Sequence, residues 1–444
     1  MNGRILGKML SSFQLIITGF IAVILFGTLL LMLPFSSKMS LWTSFGDAIF
    51  TATSAVCVTG LVVKDTALYW SFFGQTVILL LIQIGGLGIV TVTAFIASVS
   101  GRRISLLQRS MLQESLSAHQ VGGIVKLTGF IFKVVLVTEA IGAMIMIPSF
   151  CGNFGLKGIW MAVFHSISAF CNAGFDIMGS YSGEFSSLTY FSRNAGVVVP
   201  VGLLIVIGGI GFLTWSDIAA NGFRFKKYKM QSKAILTVSA VLIVVPAIFF
   251  FFNDFSGYEL KERILLSFFN SVTPRTAGFN TVDMASLSGP GRAVTIILML
   301  IGGAPGSTAG GIKVTTLAVL IASSQAVFRR RKNPSLFGRR IEDSIIRDAA
   351  ALMLMYIALV LTGAFMIGMI EDLPLDLCIF ETSSAIGTVG LSLGITPGLG
   401  IISRFILIAL MFLGRVGGLT LMFAAVNSNS AEVSQYPVEK INVG

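Results

Sequence analysis

The chain has 444 residues, of which 55% are hydrophobic and only 11% are charged, and its mean hydropathy is +0.89. These values exclude a soluble globular domain and predict an integral membrane protein surrounded by lipid. The net charge of +11 could suggest a nucleic-acid-binding protein, but Lys and Arg concentrate in linkers between long apolar segments. Because such a distribution sets membrane topology, we predict no nucleic-acid partner.

The first apolar segment, at about residues 13–34, is too long for the apolar part of a signal peptide and is predicted to span the membrane. A shorter apolar segment follows at about 43–55, and a second full-length segment covers about 70–98. The short segment has only some twelve residues before a glycine loop. A span needs roughly 20 residues, so we expect the short segment to enter the membrane from the outside and return.

This order of span, short segment and span occurs four times along the chain. The predicted first spans lie at about 13–34, 124–148, 234–253 and 346–370, the short segments at about 43–55, 158–170, 261–273 and 374–385, and the second spans at about 70–98, 195–219, 292–322 and 401–425. We therefore predict an all-α polytopic membrane protein of four fused span–pore-loop–span repeats, with eight transmembrane helices and four re-entrant pore helices around one central pore.

The repeats divide the chain into four predicted domains. They are residues 1–100, 101–223, 224–328 and 329–444, with pore loops at 43–61, 158–175, 261–279 and 374–391. Non-helical backbone at membrane depth is tolerated only where it is buried in protein or lines a water-filled path, and four loops meeting at one axis satisfy that condition. The alternative is that the four short segments are interfacial or extracellular loops whose sequences are similar only because of gene duplication. Duplication does not explain why each short helix ends in the same small-residue turn.

Each short segment carries a phenylalanine followed ten positions later by a glycine. The four stretches align without a gap and read FTATSAVCVTGL (50–61), FHSISAFCNAGF (164–175), FFNSVTPRTAGF (268–279) and FETSSAIGTVGL (380–391). Neutral backbone carbonyls can replace the water around a monovalent cation, and glycine adopts the positive φ needed to turn them toward an axis. The candidate potassium ligands are Val58, Thr59 and Gly60; Asn172, Ala173 and Gly174; Thr276, Ala277 and Gly278; and Thr388, Val389 and Gly390.

The charge pattern predicts a cation pathway with a defined orientation. The C-terminal end of each short helix is partially negative and would face the axis, which disfavours anions. The loop tips hold no acidic side chain, so a carboxylate filter for divalent cations is disfavoured, and potassium is favoured over the more strongly hydrated sodium. The basic linkers and both termini are predicted to be cytoplasmic, and most carboxylates fall on the opposite, outer side.

The third repeat has a second span that is interrupted by helix-breaking residues. We predict an intramembrane gate formed by Gly302, Gly303, Ala304, Pro305, Gly306, Ser307, Thr308, Ala309, Gly310 and Gly311. One alternative is close packing of small residues between helices. A phosphate-binding P-loop is excluded because Ile312 separates the glycines from Lys313 and Val314 follows it.

Arg415, Glu139, Lys133 and Glu381 are charged residues within apolar segments. A buried positive charge is energetically costly, so the Arg415 side chain in the last span is expected to face a cavity or to bind carbonyl oxygens. Its expected role is either in the gate or in stabilising a helix break. Glu139 and Lys133 are six residues apart, which favours pairing between helices or snorkelling over an ion pathway. Glu381 either stabilises its short helix or attracts cations.

The chain resembles the membrane subunit of the Ktr/Trk superfamily of potassium transporters, and the Ktr branch in particular. The resemblance extends from about Phe13 to Phe423 and rests on the loops CVTGL, CNAGF, TPRTAGFN and GTVGL and on QIGGLG (83–88), IGGAPGSTAGGIK (301–313) and FLGRVGGLT (412–420). It implies a fold like four fused potassium-channel subunits, with residues 302–311 as gate and Arg415 as an electrostatic barrier under the filter. Because each loop keeps one glycine, the filter is expected to be shorter than that of a channel.

The resemblance also implies partners. It predicts a homodimer in the bacterial plasma membrane, each protomer with its own pore, on a cytosolic ring of nucleotide-binding regulatory subunits. No covalent cofactor is expected; potassium is the substrate, and sodium is a candidate activator.

Channel-like potassium uptake is the function that the sequence favours. The alternative is a cation-coupled secondary transporter, moving Na⁺ with K⁺ or H⁺ with K⁺ by alternating access, but inverted repeats would be expected of it. An enzyme is not predicted, since the spans hold no His, Asp or Ser constellation typical of a catalytic site.

Overall fold

The computed structural model describes residues 12–100, 104–116 and 123–418, and these residues are almost entirely helical. The one sheet among them is a small hairpin in the linker before the fourth repeat. Its two-residue strands, Ser335–Leu336 and Arg339–Arg340, pair antiparallel.

The first helix of each repeat, called here the outer helix, is long and apolar. The four outer helices are Ser12–Met32, Ile124–Phe154, Met230–Asn253 and Asp343–Glu371. At 1.5 Å per residue each is long enough to cross a hydrocarbon core of about 30 Å. Between 22% and 33% of their most apolar windows is buried inside the protein, so most of that surface is available to lipid. The predicted first spans are confirmed.

A short pore helix follows each outer helix and packs against it. The four pore helices are Phe45–Val56, Lys157–Phe170, Leu260–Val272 and Leu375–Gly387, and each lies within two residues of its predicted bounds. They have 12 to 14 residues, too few to cross a bilayer, and their C-terminal turns are buried. The re-entrant geometry expected from the sequence is therefore present.

The second spans, called here the inner helices, are not the continuous helices that the sequence predicts. In the first repeat Phe72–Leu87 and Ile89–Val99 meet at a bend of 93°, and in the second repeat Ala195–Gly209 and Phe212–Asn221 meet at 94°. Gly88 and Gly211 stand at the bends with φ of 83° and 89°, a conformation that breaks a right-handed helix and that suits glycine.

The same break occurs at the same level in the other two repeats. The fourth inner helix is Ile401–Val416, and Gly417 follows it with a φ of 90°. Residues 419–425 of its predicted span lie outside the described residues. The third inner helix consists of Gly289–Leu300 and Val314–Phe328. Between them lies the predicted break, residues 302–311, which we call the intramembrane loop. The interruption is therefore not peculiar to the third repeat, which differs only in having a longer one.

The remaining elements are short. A capping box begins the linker helix Leu106–Ser115, and single helical turns cover Thr66–Tyr69 and Gly179–Ser182. Five 3-10 turns complete the described chain: Pro34–Ser36, Ser187–Phe191, Phe225–Lys227, Met284–Ser286 and Thr396–Gly398. The predicted domain boundaries fall in linkers or at helix ends, but the division into four domains stays a prediction.

Candidate ion pathway

The four predicted loop tips lie together in one closed ring. We call them the glycine loops: residues 58–60, 172–174, 276–278 and 388–390. A Cβ on Gly60 would overlap the carbonyl oxygen of Ala173, and one on Gly174 would lie 2.6 Å from that of Ala277. The series continues from Gly278 to the carbonyl of Val389 and closes from Gly390 to that of Thr59. The loops therefore follow chain order around an axis, and only glycine leaves room for its neighbour.

Two residues in each glycine loop are left-handed. The glycines have φ between 68° and 92°, and the residues two positions earlier have φ between 51° and 73°: Val58, Asn172, Thr276 and Thr388. The sequence predicts the first of these conformations but not the second, because Val and Thr rarely adopt positive φ. Asn172 is the single residue of the four whose type hints at it.

Hydrogen bonds to the pore helices fix this unusual backbone. The amide N–H groups of Thr59, Ala173 and Val389 donate over 2.8 Å to the carbonyl oxygens of Ser54, Ser168 and Ser384. In a planar trans peptide the carbonyl of the preceding residue points the opposite way from the N–H, so the carbonyls of Val58, Asn172 and Thr388 point away from the pore helices. The sequence does not predict this role of the serines, which lie five positions before the residues they hold.

Hydroxyl groups give the loops further support. Ser54 and Ser384 accept from the amides of Gly60 and Gly390, each over 3.0 Å. In the second and third repeats the hydroxyls instead donate forward, from Ser168 to Phe175 and from Thr273 to Phe279, each over 2.7 Å. Hydrogen bonds from hydroxyl side chains near the pore-helix ends thus support all four loops and keep their carbonyls in place.

An acidic vestibule opens onto the ring. This cavity of about 440 Å³ is lined by the four ring glycines and by four carboxylates, namely Asp65, Asp176, Glu184 and Asp283. Burial raises the pKa of Asp176 to about 7, and the neighbouring charge of Asp65 adds to the rise. The structure thus places these carboxylates outside the ring and leaves the ring itself to neutral carbonyls.

The intramembrane loop lies directly beneath the ring. A Cβ on Gly310 would overlap the side chain of Thr388, and one on Gly302 would lie 3.2 Å from the Cγ2 atom of Thr276. The hydroxyl of Thr308 donates over 3.1 Å to the carbonyl of Phe170, the last residue of the second pore helix. The loop therefore packs against the underside of the ring.

The broken ends of the inner helices hold the intramembrane loop in place. The amide of Ala304 donates to the carbonyl of Gly209 over 2.8 Å, and the amide of Phe212 donates to Gly306 over 2.7 Å. The amide of Gly311 donates to Gly414 over 3.3 Å. Backbone groups freed by the breaks thus find partners in the loop, as buried polar groups must.

Arg415 and Lys313 fasten the intramembrane loop from below. The Arg415 guanidinium donates to the carbonyls of Thr308 and Gly85, and over 3.0 Å to that of Gly86. It also lines a second cavity of about 250 Å³ on the far side of the loop, so Arg415 both binds carbonyl oxygens and faces a cavity. The Lys313 ammonium donates to Ala309 over 2.7 Å and to Gly310 over 3.3 Å. No pattern in the sequence predicts this role of Lys313.

A repeated tetrad in the sequence marks the helix breaks. It reads GGLG at 85–88, GGIG at 208–211 and GRVG at 414–417, so Arg415 occupies the place of the second glycine. The first glycine of each tetrad lies against a carbonyl near the end of a pore helix, where a Cβ would overlap Val56, Phe170 or Ile386. This spacing was the available signal for the bends.

Three other charged residues join elements around the ring. Glu381 accepts hydrogen bonds from Thr396 and, over 2.9 Å, from Ser392, so it ties the fourth pore helix to the segment that follows the glycine loop. Glu139 accepts from Gln83 of the first inner helix over 3.1 Å, in agreement with the predicted pairing between helices. Asp47 pairs with Arg404 over 2.9 Å.

Comparison with known proteins agrees with this architecture. Residues 7–436 match the family model of TrkH, described as a cation transport protein. The chain is 40% identical to the potassium/sodium uptake protein NtpJ of Enterococcus hirae, over 98% of both chains. It is 36% identical to the Ktr system potassium uptake protein B of Bacillus subtilis, over 97% of this chain and 96% of that one.

The fold resembles the crystal structure of the potassium transporter TrkH from Vibrio parahaemolyticus. The TM-score is 0.72 at 19% identity, and the match covers 92% of this chain and 84% of that one. The family match spans nearly the whole chain and includes all four glycine loops and the intramembrane loop. The chain therefore belongs to the TrkH family of cation transport proteins.

Proposed function

We propose that this chain takes up potassium through a channel-like pore in which the four glycine loops are the selectivity filter. The observation that carries the proposal is the closed ring, in which each glycine packs against the carbonyl of the next loop. Neutral oxygens around an axis replace the hydration shell of a monovalent cation without holding it as tightly as a carboxylate would. The acidic vestibule raises the local cation concentration at the ring.

The intramembrane loop is the proposed gate. It lies between the ring and the second cavity, where the hydrogen bonds of Arg415 and Lys313 hold it, and the Arg415 guanidinium adds a positive charge where a cation would pass. Opening requires these hydrogen bonds to break and the loop to move aside. An inside-negative membrane potential then drives uptake, at about 2.3 kcal/mol per charge per 100 mV.

The names of relatives support a proposal for partners and location. Three relatives are named as proteins of a Ktr system, which supports a partner subunit for this chain. We propose a homodimer in the bacterial plasma membrane on a cytosolic ring of nucleotide-binding subunits, with both chain termini cytoplasmic.

Sodium is proposed as an activator or a co-transported ion. The relative NtpJ is named a potassium/sodium uptake protein, which supports this second role. Uptake of Rb⁺, a potassium substitute, measured with and without Na⁺ tests it. A channel-like pore activated by sodium would show faster Rb⁺ uptake with no matching Na⁺ entry, whereas symport requires the two fluxes to keep a fixed ratio.

The filter is tested by Rb⁺ uptake in cells that lack their own potassium uptake systems. Gly278 has a φ of 77° and no space for a Cβ beside the Val389 carbonyl, so Gly278→Ser should distort the ring and lower discrimination between Rb⁺ and Na⁺. Gly257→Ser is the matched control, because Gly257 has open space around it. Unchanged selectivity in Gly278→Ser would sink the filter assignment.

A further inference from the structure

The third glycine loop is preceded by a buried arginine that the other three loops lack. Arg275 stands three residues before Gly278 and is 7% exposed. The equivalent positions hold uncharged residues, namely Cys57, Cys171 and Gly387. A full positive charge therefore lies beside one quarter of a ring that is built to receive cations.

Among the described residues this charge has no acidic partner. The guanidinium donates to the Ser239 hydroxyl over 3.0 Å and to the Ser239 carbonyl over 3.4 Å, while its Nε atom has no partner among the described residues. None of the ion pairs among the described residues includes Arg275. Since arginine stays protonated in proteins, the positive charge is present and is not neutralised.

The charge is close enough to act on an ion in the ring. Three residues span at most about 10 Å of chain, and a hydrogen bond holds the guanidinium at Ser239 of the third outer helix. Fields between buried groups are weakly screened by salt. At about 12 Å, with an effective dielectric constant of about 20, a unit charge changes the binding of a monovalent cation by about tenfold.

We propose that Arg275 is a specificity-determining residue whose fixed charge excludes divalent cations from the ring. The inference rests on the proposed function. Electrostatic energy is proportional to the charge of the ion, so the penalty for a divalent cation is twice that for a monovalent one, and the binding constant falls by the square of the monovalent factor. The partially negative ends of the four pore helices attract both ions, also in proportion to ionic charge, so the contribution of Arg275 still disfavours a divalent cation by twice as much as it disfavours K⁺.

Barium separates this charge effect from a change in shape, because Ba²⁺ has nearly the size of K⁺ and twice its charge. In Arg275→Gln, apparent Rb⁺ affinity should rise by a factor of up to ~10 and sensitivity of uptake to Ba²⁺ by the square of that factor, up to ~100. Arg275→Lys keeps the charge and should keep both values. Ser239→Ala removes a hydrogen-bond partner but no charge, and should also leave the Ba²⁺ sensitivity unchanged.

Equal factors for Rb⁺ and Ba²⁺ in Arg275→Gln, or an Arg275→Lys variant that behaves like Arg275→Gln, would overturn the inference. If Arg275→Gln is not recovered as folded protein, Ser239→Asp decides the question, because it places a carboxylate beside the intact guanidinium. It should raise Ba²⁺ sensitivity more than Rb⁺ affinity, and no change would count against the proposal. Absence of Rb⁺ uptake by the native chain would instead defeat the proposed function itself.

Discussion

Single residues in the ion pathway carry backbone strain and unpaired charge. Thr276 and Thr388 are β-branched residues held at φ of 73° and 51°. A left-handed conformation costs roughly 1–2 kcal/mol for such a residue, and this cost persists only where surrounding contacts impose it. Here those contacts are the pore-helix hydrogen bonds and the adjoining loops. These contacts hold the strained backbone and so keep the four sets of carbonyls in one ring.

Arg415 is expected to hold the intramembrane loop closed. Arg415→Gln removes charge-assisted hydrogen bonds to Thr308 and to the first inner helix, each contributing about 1.5–3 kcal/mol. We therefore expect Rb⁺ uptake to rise by roughly ten- to hundredfold through a larger open fraction. Arg292→Gln, near the start of the third inner helix and paired with Asp376, serves as control. Slower uptake by a folded Arg415→Gln protein would contradict the gate assignment.

Asp176 is expected to make uptake depend on external pH. Its pKa lies at about 7, so the carboxyl is charged above that pH and becomes neutral as the pH falls through it. Losing one vestibule charge should reduce Rb⁺ uptake at low ionic strength by about two- to threefold between pH 8 and pH 6. Initial rates in proteoliposomes measure this.

Asp176→Asn should remove that pH dependence and leave uptake at the lower level throughout. Asp283→Asn removes another vestibule carboxylate and is the control, because it should lower uptake but keep the pH dependence. A pH profile that is the same in Asp176→Asn and in the native chain would show that another group titrates.

Among whole elements, the broken inner helices connect the ring to the intramembrane loop. Gly211→Ala tests this connection, because Gly211 has a φ of 89° and a Cβ there would lie 2.9 Å from the Pro305 carbonyl. We expect a loss of about 1–2 kcal/mol of stability from the left-handed backbone alone. We also expect altered Rb⁺ flux, because the loop must shift.

Gly222→Ala separates these two effects. Gly222 also has positive φ, at 57°, but has open space around it and lies at the far end of the same helix pair. It should lower the melting temperature in detergent as Gly211→Ala does, and leave the flux unchanged. Equal fluxes in the two variants would indicate that the helix breaks do not position the loop.

The sequence predicts those elements whose bounds coincide with the length of an apolar run. Apolar length identifies the outer and pore helices because the bilayer imposes it, and the pore-helix bounds agree within two residues. A bend of 93° at Gly88 leaves the apolar run intact, so length cannot reveal it. The hydrogen bonds of Lys313 cannot be predicted from the sequence for a related reason. Its partners are backbone carbonyls, which every residue possesses, so no residue pattern marks them.

For the whole molecule, the junction between the first and fourth repeats is the one that no linker joins directly. Linkers connect the first repeat to the second, the second to the third and the third to the fourth. The fourth repeat meets the first only through non-covalent contacts, among them Gly390 against Thr59 and the ion pair of Arg404 with Asp47. Loss of these contacts would open the ring at one side.

We therefore expect Asp47→Asn to lower ion selectivity as well as stability. The pair is 2.9 Å long and only 23% and 16% exposed, so its loss should cost about 1 kcal/mol. Arg193→Gln breaks a pair with Glu262 over 3.0 Å, whose arginine is 78% exposed, between repeats that a linker joins, and is the control. Both variants should melt slightly earlier, but Na⁺ should compete better with Rb⁺ only in Asp47→Asn. Equal competition in the two variants would mean that the ring does not depend on this junction for its shape.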